Sequence, residues 1–305
     1  MTLRAVTGDD ERPHVPGPEP LWNESWYFDV AAGDGSLGAY VRVGRYPNLG
    51  VIWYWAALVG ADRPFVTVVD HTVPLPRDPA SLELRGEGLW ADHCRNVDLE
   101  HWNLGLEAFG VALDDPADAY GDLRGERTPL GLDLEWETDG EPYRYPPGLD
   151  RYEIPCRVHG TIQVGAEELT IDGPGQRDHS WGVRDWWAMG WLWSAWRRAD
   201  GTAVHAMTTM PSLFGTGYVQ GPAISQEVLD VGVEAPPGPA GIPPWVGITV
   251  DGVGYRAEPV AWAPVLLVGP DGQQCRFPRA LCRFHADDGD VGLGWLELGQ
   301  PETSA

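Results

Sequence analysis

Residues 191–210 of this chain read WLWSAWRRADGTAVHAMTTM, and this stretch decides the fold class. The dipeptide Asp200-Gly201 stands between two apolar runs, which is a strong signal for a β-hairpin. A two-residue turn at this dipeptide predicts that Trp196 lies opposite His205 and that Trp193 lies opposite Thr208. The stretch therefore predicts two antiparallel strands joined by a tight turn.

Both faces of the predicted hairpin are apolar. Because side chains alternate along a strand, Trp191, Trp193 and Ala195 share one face, while Leu192 and Trp196 share the other. A strand that has no polar face is expected to be buried against other parts of the protein on both sides. We therefore expect one face to line the interior of a β-barrel and the other to pack against a second barrel.

The rest of the chain repeats this pattern of strands and turns. Asp-Gly occurs seven times, and the chain contains 39 Gly and 28 Pro. The candidate strands are Ser25–Val30, Gly38–Val43, Val51–Val59, Phe65–Asp70, Arg157–Val164, Trp191–Arg198, Ala203–Met210, Gly247–Val250, Ala263–Val268 and Gly292–Leu298. Residues 114–127 are expected to form a charged loop with a short helix, and residues 230–245 a loop rich in Pro and Gly. Short, evenly spaced strands are typical of all-β sandwiches and barrels.

The charge composition excludes several classes of function. All 21 basic residues are Arg, and 45 acidic residues bring the formal net charge to −24. This charge argues against binding to nucleic acid or to anionic membranes, and the absence of Lys excludes Schiff-base chemistry and a P-loop lysine. No apolar run approaches ~18 residues, so no membrane span is predicted. The first residues lack the apolar core of a signal peptide, so a cytoplasmic location is expected.

Three patterns that could hold a cofactor have simpler interpretations. Residues 33–38 match GxGxxG, but a strand-like segment follows them, so they predict a hairpin turn rather than a dinucleotide site. None of the four Cys forms a CxxC pair. His93 and His101 lie near acidic residues without a defined ligand geometry. The sequence therefore predicts no metal and no cofactor.

Residues 171–196, IDGPGQRDHSWGVRDWWAMGWLWSAW, combine ionisable side chains with six Trp. Ionisable groups in apolar surroundings have shifted pKa values and often lie at functional sites. The alternative is a structural Arg–Asp network that ties strands together around a Trp core. In an extended strand Asp178 and His179 point to opposite faces, unless the glycines on either side bend the chain. No nucleophile motif accompanies His179, so a hydrolase triad is not predicted.

The segment Gly175–Gly182, GQRDHSWG, resembles the signature of the AttH/CrtC-like proteins. This family includes carotenoid 1,2-hydratase, kievitone hydratase and fungal Diels–Alderases. Two further stretches agree with it: NESWYF (23–28) followed by RYPN (45–48), and GLGWLE (292–297). The resemblance implies an all-β fold of two lipocalin-like (calycin) antiparallel barrels side by side, with a ligand cavity between or within them. We expect a loose arm over residues 1–20, one barrel over 21–170, and a second over 171–305 that carries the motif.

The resemblance also implies roles for two residues of the motif. In the hydratases, the aspartate that matches Asp178 is regarded as the proton donor, assisted by a tyrosine two positions earlier. Here that position is Gln176, which can orient a substrate but cannot donate a proton in its place. This difference argues against carotenoid-hydratase chemistry specifically and leaves Asp178 as the candidate acid.

The leading hypothesis is therefore acid catalysis on an apolar, isoprenoid- or polyene-like substrate, as in a lyase, isomerase or cyclase. Asp178 needs a pKa raised by ~3 units to protonate an alkene near neutral pH, and His179 could accept a proton. The candidate substrate-binding residues are Gln176, Trp181, Trp191, Trp193, Trp196 and His205. Among them, the rings of Trp181, Trp191 and Trp193 would stabilise a carbocation. Two alternatives remain, a pericyclase that works by positioning and a carrier that only binds a hydrophobic ligand. The expected partner is a small hydrophobic molecule, and the sequence leaves the oligomeric state open.

Overall fold

The computed structural model describes residues 5–211, 214–269 and 271–302. Over these ranges the chain forms 22 strands and three short 3-10 helices, Gly8–Glu11, Pro116–Tyr120 and Pro239–Gly241. The expected all-β fold is confirmed. Among the residues described, no helix is both long and apolar enough to cross a bilayer.

The first antiparallel sheet closes into a barrel. Its strands are β1 (Trp22–Ala31), β2 (Leu37–Tyr46), β3 (Val51–Gly60), β4 (Phe65–Pro74), β5 (Glu83–Gly86), β6 (Leu89–Val97), β7 (His101–Leu113), β8 (Glu126–Thr138), β9 (Tyr143–Arg144), β10 (Arg151–Val164) and β11 (Glu167–Val183). Their order is β4-β3-β2-β1-β11-β10-β8-β7-β6-β5, β9 pairs with β10 beside this path, and β4 also pairs with β7. This second pairing joins the two ends of an eight-stranded path, as in a lipocalin-like barrel.

The second antiparallel sheet is less completely closed. Its strands are β12 (Gly190–Arg197), β13 (Ala203–Met210), β14 (Gly215–Gly221), β15 (Ile224–Val228), β16 (Val231–Glu234), β17 (Val246–Val250), β18 (Val253–Trp262), β21 (Arg279–Ala286) and β22 (Val291–Pro301). They follow the order β15-β14-β13-β12-β22-β21-β18-β17-β16. The hairpin of β19 (Val265–Val268) and β20 (Gln274–Phe277) pairs with the end of β22. Because β16 also lies against β13 and β14, the two ends of the sheet approach each other.

Three large apolar clusters, beside a small one that contains Tyr145 and Tyr218, follow from the alternation of side chains along these strands. One fills the interior of the first barrel and includes Phe28, Trp102 and Trp136. Another fills the second barrel around Trp196. The third contains residues of both sheets, among them Trp193, and joins the barrels. The β12 strand thus lines a barrel with one face and packs against the other barrel with its second face, as the sequence predicts.

The predicted register of the β12–β13 hairpin is wrong by one residue. Ala195 lies opposite His205, Trp196 opposite Val204, Trp193 opposite Met207, and Trp191 opposite Thr209. The connection has three residues rather than two, because the amide of Arg198 donates to the carbonyl of Thr202 and Gly201 takes a positive φ of 86°. A shift by one residue moves His205 from the face of Trp196 to the face of Trp193.

Two expected boundaries also differ from the structure. The first sheet ends at Val183 and the second begins at Gly190, so the GQRDHSWG motif lies in the first barrel rather than in the second. The N-terminal segment is not loose over its described part. Asp10 and Glu11 are buried, and they pair with Arg144 and Arg177 of the first barrel. The acidic side chains hold the segment in place because they neutralise these arginines.

In the 230–245 segment the structure adds a short strand, β16, which the Pro- and Gly-rich composition does not predict. The 3-10 helix Pro116–Tyr120 agrees with the short helix expected within residues 114–127.

Candidate functional site

The motif strand β11 divides its side chains between two environments. It pairs with β1 and β10 in an unbroken register from Gly175 to Val183 on one side and from Glu167 to Ser180 on the other, so the chain does not bulge at the motif. Asp178 therefore points towards the second barrel, and His179 points into the first. The expectation that the two residues occupy opposite faces is confirmed by this register.

A cavity of about 70 Å³ lies between the barrels on the Asp178 side. Charged and aromatic side chains make up most of its lining. The lining residues are Ser25, Tyr27, Arg42, Trp55, Arg151, Asp178, Ser180, Arg184, Trp186, Trp191, Trp193, Met207, Phe277, Arg279 and Glu297. Strands of both barrels contribute, so this site exists only where the two sheets meet.

Asp178 is one of the carboxyl groups in the wall of this cavity, with 6% of its surface exposed. Burial raises its pKa to about 7, against the opposing effect of Arg151 and with a further upward contribution from Glu153. Arg151 Nη2 donates to Asp178 Oδ2 at 2.6 Å. A carboxyl with this pKa holds a proton in a substantial fraction of molecules at neutral pH.

Glu153 lies directly opposite Asp178 on β10 and forms the centre of a polar network. It accepts hydrogen bonds from Arg151 Nε at 2.7 Å, Gln176 Nε2 at 2.9 Å and Trp193 Nε1 at 3.0 Å. Burial opposes ionisation of Glu153, but Arg151 and the Gln176 and Trp193 donors lower its pKa. Glu153 is thus held as a carboxylate, while its neighbour Asp178 is driven towards the neutral acid.

Sequence reasoning missed both Glu153 and Arg151. The segment RYEIPC (151–156) contains a signal for them, because Arg151 and Glu153 alternate with apolar residues and so share one face of a strand. Charged residues on a buried face of a strand are unusual without a partner. Their partners come from strands that are distant in the sequence, so the alternation alone did not identify the site.

Gln176 and His205 complete the network around Glu153. The hydroxyl of Tyr218 donates to Gln176 Oε1 at 2.8 Å, so the amide is held from both ends. His205 Nδ1 donates to the carbonyl of Ser194 at 2.9 Å, and His205 Nε2 accepts from the Tyr145 hydroxyl at 2.7 Å. Burial lowers the pKa of His205, and the two hydrogen bonds fit a neutral imidazole.

Aromatic rings form the opposite wall of the cavity. Trp191 packs edge-on against Phe277 with 5.0 Å between ring centroids, and its Nε1 donates to Glu297 at 2.9 Å. Trp186 lies 5.6 Å from Phe277 and is carried by the 184–189 connection between the two sheets. Together with Trp193 they give the cavity an apolar surface beside its charged one.

His179 and Trp181 belong to a separate cluster in the first barrel. His179 Nε2 and His14 Nδ1 both donate to Glu24 Oε1, at 3.0 and 2.8 Å, and Trp181 stacks on His14 with 3.7 Å between ring centroids. The possible ligand atoms of His14, Glu24 and His179 lie within 4.8 Å of one another and are of types that bind transition metals. As they stand, both imidazoles are hydrogen-bonded to one carboxylate oxygen, which ties the N-terminal segment to β1 and β11.

The structure thus separates the predicted site residues into three groups. Asp178, Gln176, Trp191, Trp193 and His205 lie together between the barrels. His179 and Trp181 lie inside the first barrel, on the far side of β11. Trp196 lies inside the second barrel, where it stacks on Phe284 with 4.5 Å between ring centroids.

Known structures share this double-barrel fold. An AttH-type protein (NE1406) from Nitrosomonas europaea aligns with a TM-score of 0.65 and 14% identity, over 92% of this chain and 94% of that chain. Kievitone hydratase from Nectria haematococca aligns with a TM-score of 0.60 and 14% identity, over 97% and 93% of the two chains. CghA, in a crystal structure with Sch210972, aligns with a TM-score of 0.58 and 13% identity, over 93% and 89%. The fold expected from the AttH/CrtC-like resemblance is therefore confirmed.

Sequence comparison adds the family. No curated protein matches this chain at a significant level of similarity. A family described as "Domain of unknown function (DUF7064)" matches residues 7–302, which include both barrels and the cavity between them. The chain is therefore a member of the DUF7064 family, built on the double lipocalin-like fold of AttH, kievitone hydratase and CghA.

Proposed function

We propose that this protein is an enzyme that uses Asp178 as a general acid on an apolar, isoprenoid- or polyene-like substrate in the cavity between the barrels. The observation that carries the proposal is the pair Asp178 and Glu153, adjacent across β10 and β11, whose pKa values are shifted in opposite directions. Such pairs are how proteins divide acid and carboxylate roles between two similar groups.

In the proposed reaction, Asp178 transfers its proton to a carbon of a substrate C=C bond, or to an allylic oxygen that then leaves as water. Either step produces a carbocation and the Asp178 carboxylate. Capture by water gives hydration, capture within the substrate gives cyclisation, and loss of a neighbouring proton gives isomerisation or dehydration. Arg151 bonds to Asp178 and therefore stabilises the carboxylate that the transfer leaves behind.

The aromatic wall supports the second half of this proposal. A Trp ring stabilises a nearby cation by ~0.5–2 kcal/mol. Trp186, Trp191 and Trp193 line the same cavity as Asp178. Trp181, Trp196 and His179 lie outside this cavity, so we assign no direct contact with the substrate to them.

The size of the cavity defines what must move for a large substrate to enter. Its volume of about 70 Å³ is well below the ~300–1,000 Å³ typical of ligand pockets. Arg184 and Trp186 are lining residues on the 184–189 connection rather than on a strand. We propose that displacement of this connection admits the substrate.

The incorporation of deuterium at carbon tests the proposed proton transfer. The protein is incubated in D₂O with a panel of polyenes and terpenoid alcohols, and products are followed by mass spectrometry. With the unaltered protein we expect deuterium at carbon where a C=C bond is protonated, and a dehydrated or cyclised product without deuterium where an allylic oxygen is protonated. Asp178→Asn should form neither product. Asp172→Asn is the matched control, because Asp172 is an exposed carboxylate on the same strand. Deuterated product formed equally by Asp178→Asn would overturn the proposal.

A pericyclase is the second candidate, and the arginines favour it. Arg42 and Arg279 place guanidinium donors in the cavity wall, where they could polarise a carbonyl of a folded polyene without transferring a proton. A product that contains no deuterium at carbon, formed at a rate independent of pH between about 5 and 9, would support this candidate. A ligand that binds and leaves unchanged would instead indicate a carrier.

A further inference from the structure

The cavity between the barrels is positively charged in a strongly acidic protein. Four guanidinium groups line it, those of Arg42, Arg151, Arg184 and Arg279, against the two carboxyl groups of Asp178 and Glu297. Both carboxyl groups are already paired, Asp178 with Arg151 and Glu297 with Arg279. Arg151 also pairs with the Glu153 carboxylate, so the excess consists of Arg42 and Arg184, which form no ion pair with the described residues. The guanidinium groups in the cavity wall therefore outnumber the carboxyl groups, although the whole chain has a formal charge of −24.

Several of the guanidinium nitrogens have no acceptor within the described parts of the chain. Arg42 is 4% exposed and Arg279 is 5% exposed. Among the residues that the structure describes, neither Nη1 nor Nη2 of Arg42 has a hydrogen-bond partner, and the same holds for Nη1 of Arg279 and Nη2 of Arg184. A buried charged donor without a partner costs several kcal/mol, so proteins rarely retain one without a use for it.

Aromatic rings hold Arg42 in place without satisfying its donors. Its guanidinium carbon lies 4.5 Å from the centroid of Trp55 and 5.2 Å from that of Trp186. The Tyr46 hydroxyl interacts with the Arg42 side chain electrostatically and through a hydrogen bond, and it also accepts from Trp186 Nε1 at 3.1 Å. Stacking between rings covers the faces of a guanidinium group and leaves its edge, which carries the N–H donors, available to a ligand.

We infer that the ligand of this cavity is an amphiphile with an anionic headgroup, a carboxylate or a phosphate, joined to an apolar body. The headgroup binds Arg42, Arg184 and Arg279, since planar guanidinium groups match the oxygens of both anions. The body packs on Trp191 and Phe277. The volume of about 70 Å³ exceeds the ~10–15 Å³ that one water needs and accommodates a headgroup of a few atoms. This inference names a substrate class for the proposed enzyme site and rests on that proposal.

Three probes that share one apolar body test the inference. Farnesoic acid, farnesyl phosphate and neutral farnesol are titrated separately into the protein, and binding is measured by calorimetry. We expect at least one acid to bind 10-fold or more tightly than farnesol, on the order of one charge-assisted contact. The preferred acid distinguishes carboxylate from phosphate. Equal affinity for farnesol and both acids, or no binding of either acid, overturns the inference.

Substitutions of the cavity arginines test where the anionic headgroup binds. Arg184→Gln should weaken binding of the preferred acid by about 10-fold to 100-fold and leave farnesol unchanged. Arg184 lies outside the strands, so this change spares both sheets, and a thermal melt checks that the variant is folded. Arg42→Gln should act in the same direction. Arg157→Gln, which alters an exposed ion pair with Asp172, is the control and should have no effect. Equal affinity of Arg184→Gln and the unaltered protein for the acid contradicts the assignment.

The outcome is separable from that of the proposed reaction. Asp178→Asn should lose deuterium incorporation while it retains the preference for an acid over farnesol. If the unaltered protein instead deuterates farnesol but binds no acid more tightly, the acid mechanism stands and the headgroup inference fails. If the preference for an acid is present but no product depends on Asp178, the headgroup inference stands and the acid mechanism fails.

Discussion

Asp178 and Glu153 occupy directly opposite positions of the β10–β11 ladder, and Arg151 donates to both of them, at 2.6 and 2.7 Å. The guanidinium group of Arg151 therefore binds two carboxyl groups that differ in their other contacts. Glu153 has further donors in Gln176 and Trp193, whereas Asp178 faces the cavity. This asymmetry explains why one group stays ionised and its neighbour holds a proton.

The raised pKa of Asp178 predicts how stability depends on pH. Its pKa is about 7 in the folded chain and ~3.9 in an unfolded one. Between these values the folded state binds more protons, so rising pH destabilises it relative to the unfolded state. We expect the stability of the unaltered protein, relative to Asp178→Asn, to fall by up to about 4 kcal/mol between pH 4 and pH 8. Urea unfolding of both proteins across this range measures it, and a pH-independent difference would contradict it.

Removal of the Glu153 charge should affect both stability and the proposed activity. Glu153→Gln leaves Arg151 with one carboxyl partner, and we expect a loss of about 3–5 kcal/mol in unfolding free energy. Because Glu153 raises the pKa of Asp178, the pH at which activity declines should move downwards. Urea unfolding and a pH–rate profile check the two effects.

Glu137→Gln, at an exposed position on β8, is the control for Glu153→Gln and should change neither stability nor the pH–rate profile. An unmoved profile in a folded Glu153→Gln protein would show that Glu153 has only a structural role.

The N-terminal segment should contribute strongly to stability through Glu11. This residue is buried and pairs with Arg177, so Glu11→Gln should cost about 3–5 kcal/mol because it leaves a buried guanidinium group without its counter-ion. Asp9→Asn, two positions away and exposed, should cost less than ~1 kcal/mol. Urea unfolding compares the two.

The Glu11 contribution should also depend on pH in a defined direction. Burial opposes ionisation of Glu11, but Arg177 and hydrogen bonds lower its pKa below the ordinary value. Its stabilising effect is therefore present above ~pH 4.3 and is lost as the pH falls through the lowered pKa. The stability gap between the unaltered protein and Glu11→Gln should narrow in acid. A gap that widens in acid would contradict the ion-pair assignment.

Substitution of two tryptophans of β12 should affect two different properties, ligand binding for Trp191 and stability for Trp196. Trp191 lines the cavity, so Trp191→Phe should weaken binding of the farnesyl probe that the protein prefers by several-fold, through loss of ring area and of the bond to Glu297. Trp196 fills the second barrel, so Trp196→Phe should lower stability by about 1–3 kcal/mol and leave binding unchanged. Calorimetry and urea unfolding distinguish the effects. A binding defect of equal size in both variants would indicate that Trp191 acts only through stability.

Local sequence patterns predicted the strands well, because the alternation of side chains along a strand and the residues that favour turns both act over only a few positions. Each candidate strand overlaps an observed one, and the two-sided apolar pattern of β12 correctly predicted packing on both faces. The exact register of the hairpin did not follow from the sequence. A turn of two residues and a turn of three are both compatible with Asp200-Gly201, and the choice reverses the face on which His205 lies.

The sequence by itself determined the strand alternation, the opposite orientations of Asp178 and His179, and the resemblance carried by the motif. Only the tertiary structure decided which charges meet. Arg42, Glu153, Asp178 and Arg279 come from four different strands, and the cavity forms where the two barrels face each other. Burial and pairing set their pKa values and leave guanidinium donors unsatisfied, and both depend on distances between residues that are remote in the chain. For this reason the acid could be nominated from the motif, whereas its partner carboxylate and the positive cavity could not.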